Sequence, residues 1–198
     1  MADLRSTVFR ALTGRNADVS GKTAGDIKGM LLAVGGSSSK TKSGIDLTKA
    51  AESMGVSRRT VERWVKAAET GTGQRPTPEH AKTLATKSRQ AATTKAGRKA
   101  ALAASPLRQD VTSRGARLSI TGNQGPHSLT LGYARHRTTQ LDLDPADAEA
   151  MMNAWENGGD KGFMSWATTQ WGQDYLDDWK FGDVEAIELQ RPYGGQWR

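Results

Sequence analysis

LTKAAESMGVSRRTVERWVK, Leu47 to Lys66, is the stretch on which the reading of this chain turns. It predicts two short helices joined at Gly55, where a permissive backbone is wanted. Ala50, Ala51 and Met54 fall on one face of the first helix. Val56 closes the turn, and Val61, Trp64 and Val65 recur at helical spacing in the second. Ser57 is a good N-cap, because its hydroxyl can accept an orphan backbone N–H. The opposite face carries Arg58, Arg59, Thr60, Glu62, Arg63 and Lys66. That is the composition of a recognition helix, whose side chains meet base edges and phosphates in a major groove. An ordinary helical hairpin with a solvated charged face fits the same string. The turn glycine, small residues, cap, apolar spacing and arginines agree together, and they favour a DNA-binding helix-turn-helix over residues 47–66.

Upstream, Ser6 to Leu12 is expected to form a short helix. Asp26 to Val34 is expected to form another, packed behind the motif through Ile27, Met30, Leu31 and Val34. GGSSSKTKSG, Gly35 to Gly44, does not follow the G-x-x-x-x-G-K-[ST] phosphate-loop pattern. It reads as a flexible loop that offers Lys40 and Lys42 to phosphate.

Downstream, GTGQRPTP ends the motif, and Thr77-Pro78-Glu79 opens a new helix. From there to Ala104 the chain is rich in Ala, Lys, Arg and Thr. Lys82, Lys87, Arg89, Lys95, Arg98 and Lys99 have almost no acids between them. This segment is expected to be a basic helical connector, marginal alone and ordered along a DNA backbone. After Pro106 the pattern becomes strand-like, in RGARLSITG (Arg114 to Gly122) and from His127 to Asp144, with a break near Gly132. GNQGP, Gly122 to Pro126, reads as a turn or mobile loop. Asp144-Pro145 opens a helix that Gly158-Gly159 should end. Phe163 to Trp179 reads as another helix and DVEAIEL, Asp183 to Leu189, as a last strand. Four of the six tryptophans lie between Trp155 and Trp179, among acidic neighbours, and are expected in a core.

The predicted class is α+β. It comprises a helical domain over 1–72 containing the helix-turn-helix, a basic connector over 73–110 and a small α+β domain over 111–198 with an acidic rear. Up to Gln140 there are 24 basic and 9 acidic residues; after it there are 4 and 12. The basic front suggests nucleic acid. The acidic rear suits either a protein partner or solubility. With no cysteine there is no disulfide framework and no Cys-based zinc site. His80, His127 and His136 are too scattered to argue for a metal, and no cofactor is implied. No apolar run approaches the roughly 18 residues of a membrane span, and the N-terminus does not read as a secretory signal. A soluble, cytoplasmic, nucleoid-associated protein is expected.

GVSRRTVERWVK, then RQAATTKAGRK, then RGARLSIT and a closing GDVEAIEL resemble, in that order, the telomere terminal proteins of linear Streptomyces-type chromosomes and plasmids. The resemblance spans about residues 45 to 190. The Gly/Ser/Lys loop is longer than in that family, and RPYGGQWR extends beyond its pattern. The resemblance implies a protein that is not itself an enzyme. A side-chain hydroxyl becomes joined to the 5′ phosphate of a DNA end, primes end-patching synthesis by a DNA polymerase, and leaves the protein as a cap. The implied partners are telomeric DNA, a telomere-associated protein, the polymerase and a topoisomerase. Membranes are not among them, and a homodimer is left open. The family acceptor is a threonine shortly before an A-R-x-R sequence, here Ala134 to Arg137, whose Arg135 and Arg137 are then expected to touch DNA. Thr130 is the first choice, Ser128 the second, and the phenol of Tyr133 is chemically competent. The acid-free stretch around them suits an incoming triphosphate, and the metal and base chemistry would belong to the polymerase. The competing reading is a noncovalent helix-turn-helix regulator of transcription or of a plasmid.

Overall fold

The computed structural model describes residues 3–128, 131, 132, 134–175 and 177–190. The elements are, in order, α1 (Leu4–Thr13), α2 (Ile27–Gly35), α3 (Leu47–Met54), α4 (Arg58–Thr70), α5 (Pro78–Thr93), α6 (Lys95–Ala103), α7 (Pro106–Arg114), β1 (Ala116–Ser128), β2 (Leu131–Gly132), β3 (Arg135–Leu143), α8 (Pro145–Asp174) and β4 (Trp179–Gln190). The class is mixed α+β. The chain divides into two compact units, Thr13–Ser105 and the residues up to Leu12 together with those from Pro106 onward. This corrects the three-part division read from sequence. The first dozen residues belong with the C-terminal half, and the expected connector is split between the two units.

In the helical unit, α2 to α5 enclose one core. Met30 and Leu31 come from α2, Ile45 from the following loop, Ala50, Ala51 and Met54 from α3, Val61, Trp64 and Val65 from α4, and Leu84 and Ala85 from α5. The basic segment is therefore no marginal connector. Leu84, Ala85, Ala92, Ala101 and Leu102 are buried, and small alanines let α5 and α6 pack closely where few large side chains exist. The single helix expected from Pro78 to Ala104 breaks at Thr94, whose extended backbone ends α5 and whose hydroxyl caps Gly97 N at 3.0 Å to start α6.

In the other unit, β1 is central, antiparallel to β3 on one side and to β4 on the other, with the short β2 paired to the end of β1. Ala116, Leu118 and Ile120 alternate inward on β1, and Thr139, Leu141 and Leu143 do so on β3. The expected turn at GNQGP is instead the middle of β1. Gly122 has φ 155°, and a Cβ there would lie 1.9 Å from the Asp183 carbonyl oxygen. Register shifts against β4 on both sides of Gly122 make this a bulge, the other setting that favours glycine inside a strand. The expected break near Gly132 is present, between β2 and β3. Asp144 caps α8 as anticipated, accepting from Asp147 N at 2.8 Å. Gly159, at φ 63° and ψ −151°, kinks α8 where the sequence suggested two helices. Trp179 starts β4 rather than ending a helix, and α7 carries the helical path past residue 110, where the connector was expected to end.

Trp155, Trp171 and Trp179 are core residues. Trp171 Nε1 donates to Thr139 Oγ1 (2.8 Å), which donates to Gln124 Oε1 (2.7 Å). Gln124 Nε2 in turn donates to the carbonyls of Ile120 and Arg137. Every member of this buried chain is satisfied, and it ties α8 to the bulged stretch of sheet. α1 packs here too: Phe9 meets Trp155 edge-on with ring centroids 6.0 Å apart. No helix among the described residues is long and apolar enough to cross a membrane.

Candidate nucleic-acid interface

The geometry around Gly55 is built from local capping. Asp46 accepts from Lys49 N (3.1 Å) and starts α3. Gly55, left-handed at φ 67°, ends it, with Gly55 N donating to Glu52 O (3.2 Å) and Val56 N to Ala51 O (3.1 Å). Ser57 Oγ then accepts from Thr60 N at 3.2 Å and starts α4. Trp64 is buried, with its ring 5.3 Å from that of His80. Anchored by Val61, Trp64 and Val65, α4 must turn its other face outward. Ser57, Arg58, Arg59, Glu62, Arg63 and Lys66 are exposed, and Thr60 is half-buried.

These cations are not equivalent. Arg58 Nε pairs with Glu62 Oε1 at 3.0 Å within the helix. Arg63 Nη1 donates to Gln74 Oε1 at 3.2 Å. Arg59 and Lys66 have no such partner among the described residues. In the Gly/Ser/Lys loop, expected to be flexible, hydroxyls and backbone bond to one another. Ser38 N donates to Gly44 O (2.9 Å), Thr41 Oγ1 to Ile45 O (2.7 Å), and Ser37 and Ile45 form a bridge. The loop brings Lys40 and Lys42 beside Arg58 and Lys66 around a concavity of about 340 Å³. Its two acids, Glu62 and Glu69, are matched to Arg58 and Lys28. Lys40, Lys42 and Lys66 thus leave it net positive. A second hollow, about 400 Å³, lies between Arg63, Lys66 and Gln74.

The remaining expected DNA contacts divide. Lys82, Arg89, Lys95 and Lys99 are exposed on α5 and α6 but line neither hollow, and Lys87 is half-buried. Arg98 is corrected: it is buried, and Nη1 donates to Ala92 O at 3.2 Å, so it braces the α5–α6 corner instead of facing a ligand. Arg135, in the other unit, is exposed. Arg137 is half-buried with its guanidinium 5.6 Å from the centroid of the Trp179 ring, a packing contact. Ser128 ends β1 and pairs in register with Leu131. Its side chain lies outside the described residues, as do Leu129, Thr130 and Tyr133. The sequence reading missed Arg15, a buried cation whose surroundings in the chain give no periodic signal.

No protein-family model, curated protein or solved structure matches the chain. Among the described residues, no group of three or more His, Asp or Glu is placed to hold a metal ion.

Proposed function

We propose that this is a DNA-binding protein of linear DNA ends, in which α3, Gly55 and α4 act as a helix-turn-helix and a side-chain hydroxyl serves as primer and covalent anchor. The observation that carries DNA binding is the exposed cationic face of α4, joined by Lys40 and Lys42 across one concave surface. A helix held by Trp64 on one side and offering Arg58, Arg59, Thr60 and Arg63 on the other has the form needed to enter a major groove. The lysines at its margin suit flanking phosphates.

The end-capping part rests on the resemblance to telomere terminal proteins. In such a role the acceptor hydroxyl attacks the α-phosphate of the first nucleotide. A phosphoester forms, pyrophosphate leaves, and the polymerase supplies metal ions and takes up the hydroxyl proton. Thr130 is the proposed acceptor and Ser128 the second. Ser128 pairs in register with Leu131, and Thr130 lies outside the described residues.

The test is incubation of the full chain with a telomeric DNA polymerase and a labelled nucleotide, followed by peptide mapping. Label on Thr130 that Thr130→Ala abolishes is the expected result; transfer that survives Thr130→Ala sinks the first choice. Denaturing, protease-free extraction of cellular DNA should retain the protein. A chain that falls away but binds duplex DNA natively is a noncovalent regulator.

A further inference from the structure

A cleft of the helical unit, about 700 Å³, is formed by α2, α3, α5 and α6 and lies apart from the α4 face. Three cations line it, Arg15, Lys49 and Lys87, and no carboxylate does. Arg15 is only 2% exposed. Its Nη2 donates to Ala101 O at 3.0 Å, but its Nε has no hydrogen-bond partner. Gly36 backs the group: a Cβ there would sit 3.7 Å from both Cζ and Nη2. Lys49 shares its charge with Asp46 at 3.6 Å, outside the lining, while Lys87 has no partner among the described residues.

A buried guanidinium without a counter-charge is costly, and the donor left over at Nε adds to that cost. Burial alone pulls the Arg15 pKa below its ordinary value, since no acid offsets it. A helix-capping role for Arg15 accounts for the bond to Ala101. It leaves Nε and the surplus of cations unexplained.

We propose that this cleft is an oxyanion site that takes the phosphate group of a nucleotide, free or at the end of a DNA strand, with Arg15 as the buried donor and Lys87 and Lys49 at the rim. The planar guanidinium suits phosphate oxygens, and two further cations suit a group with more than one negative charge. Ser53 and Gln90 add neutral hydrogen-bonding groups, and alanines from α2, α5 and α6 give apolar wall for a base. The site does not rest on the duplex-binding reading, since it uses none of the α4 residues.

The test is calorimetric titration of the full chain with inorganic phosphate, deoxyadenosine 5′-monophosphate, and a short single strand with and without its 5′ phosphate. Binding that requires the phosphate is expected. It should weaken about tenfold to a hundredfold in Arg15→Gln and in Lys87→Glu, whose carboxylate would occupy the guanidinium. The Arg59→Ala, Arg63→Ala double variant should bind as the parent does, which separates this site from the duplex face. The better of the nucleotide and the 5′-phosphorylated strand identifies the source. Failure of every probe to bind the parent overturns the proposal, as does unchanged binding in Lys87→Glu. Phosphate binding that gains nothing from a nucleoside overturns the nucleotide assignment. If circular dichroism shows Arg15→Gln unfolded, the Lys87→Glu titration decides the outcome.

Discussion

Trp64 and Arg63 are neighbours in sequence with opposite settings, one buried and one exposed. Trp64 fills the core between α3, α4 and α5, and truncation to alanine should destabilise the helical unit by roughly 3–5 kcal/mol in urea melts. Arg63 is exposed, so removing it together with Arg58 and Arg59 should leave the melt nearly unchanged while duplex affinity falls steeply. Unaltered affinity of that triple variant would refute α4 as the reading helix. In the sheet, Arg117 Nε and Asp142 Oδ1 lie 2.6 Å apart, and this bond holds the Asp142 carboxyl below its usual range. A depressed carboxylate pKa contributes stability that is complete above the unfolded value, about 3.9, and is lost as pH falls through the folded value. The stability difference between parent and Asp142→Asn should therefore be constant at neutral pH and shrink in acid below about pH 4. A difference that grows on acidification would contradict it. Residue by residue, α4 was legible because polarity alternates with helical period. Arg98 and Lys99 were not separable, since adjacent cations on a helix look alike until packing buries one of them.

Between elements, glycines decide two junctions by different physics. Gly55 has nothing within 4 Å of where a Cβ would stand, so Gly55→Ala meets only the left-handed backbone penalty, about 1–2 kcal/mol. The turn should survive, with a lower melting temperature for the helical unit and modestly weaker DNA binding. Gly122 is different: its Cβ would overlap the Asp183 carbonyl, which belongs to backbone and cannot swing away. Gly122→Ala should disrupt the β1–β4 pairing and with it the alignment of Gln124, Thr139 and Trp171. Loss of near-ultraviolet tryptophan dichroism would report this. The first junction was visible in sequence because a turn glycine followed by a serine cap is a local pattern. The second was not, because Gly, Asn and Pro together carry the composition of a turn, and only the partner strand converts them to a bulge.

Over the full chain, charge and connectivity are both unevenly distributed. If α4 and its loop hold duplex DNA, the logarithm of affinity should fall linearly with the logarithm of salt concentration, and removal of one phosphate-contacting lysine, such as Lys42, should flatten the slope by about one. An unchanged slope would remove the loop from the interface. The second expectation at this level concerns α1. Val8, Phe9 and Leu12 are fully buried in the unit that holds α8 and the sheet, and Arg5 reaches Asp160 at 3.8 Å. Phe9→Ala should cost that unit roughly 3–5 kcal/mol and leave the helical unit's own transition in place. A single melt in which both halves shift equally would argue against two compact units.

The order of residues alone was enough wherever the physics is local. Asp46, Gly55 and Ser57 set the ends of α3 and α4 through bonds spanning three to five residues, and Asp144 does the same for α8. Alternation marked the stretches that became β1 and β3 as strand-like, and apolar spacing named the core side of α4. Folding settled what depends on residues far apart in the chain. Phe9 finds Trp155, Gly122 yields to Asp183, and Arg15 donates to Ala101; nothing in the nearby sequence encodes such meetings. A cap or a hydrophobic period is satisfied within a few residues of where it is written. Burial of a cation, a bulge in a strand and the allegiance of an end helix follow from which surfaces the folded chain brings together.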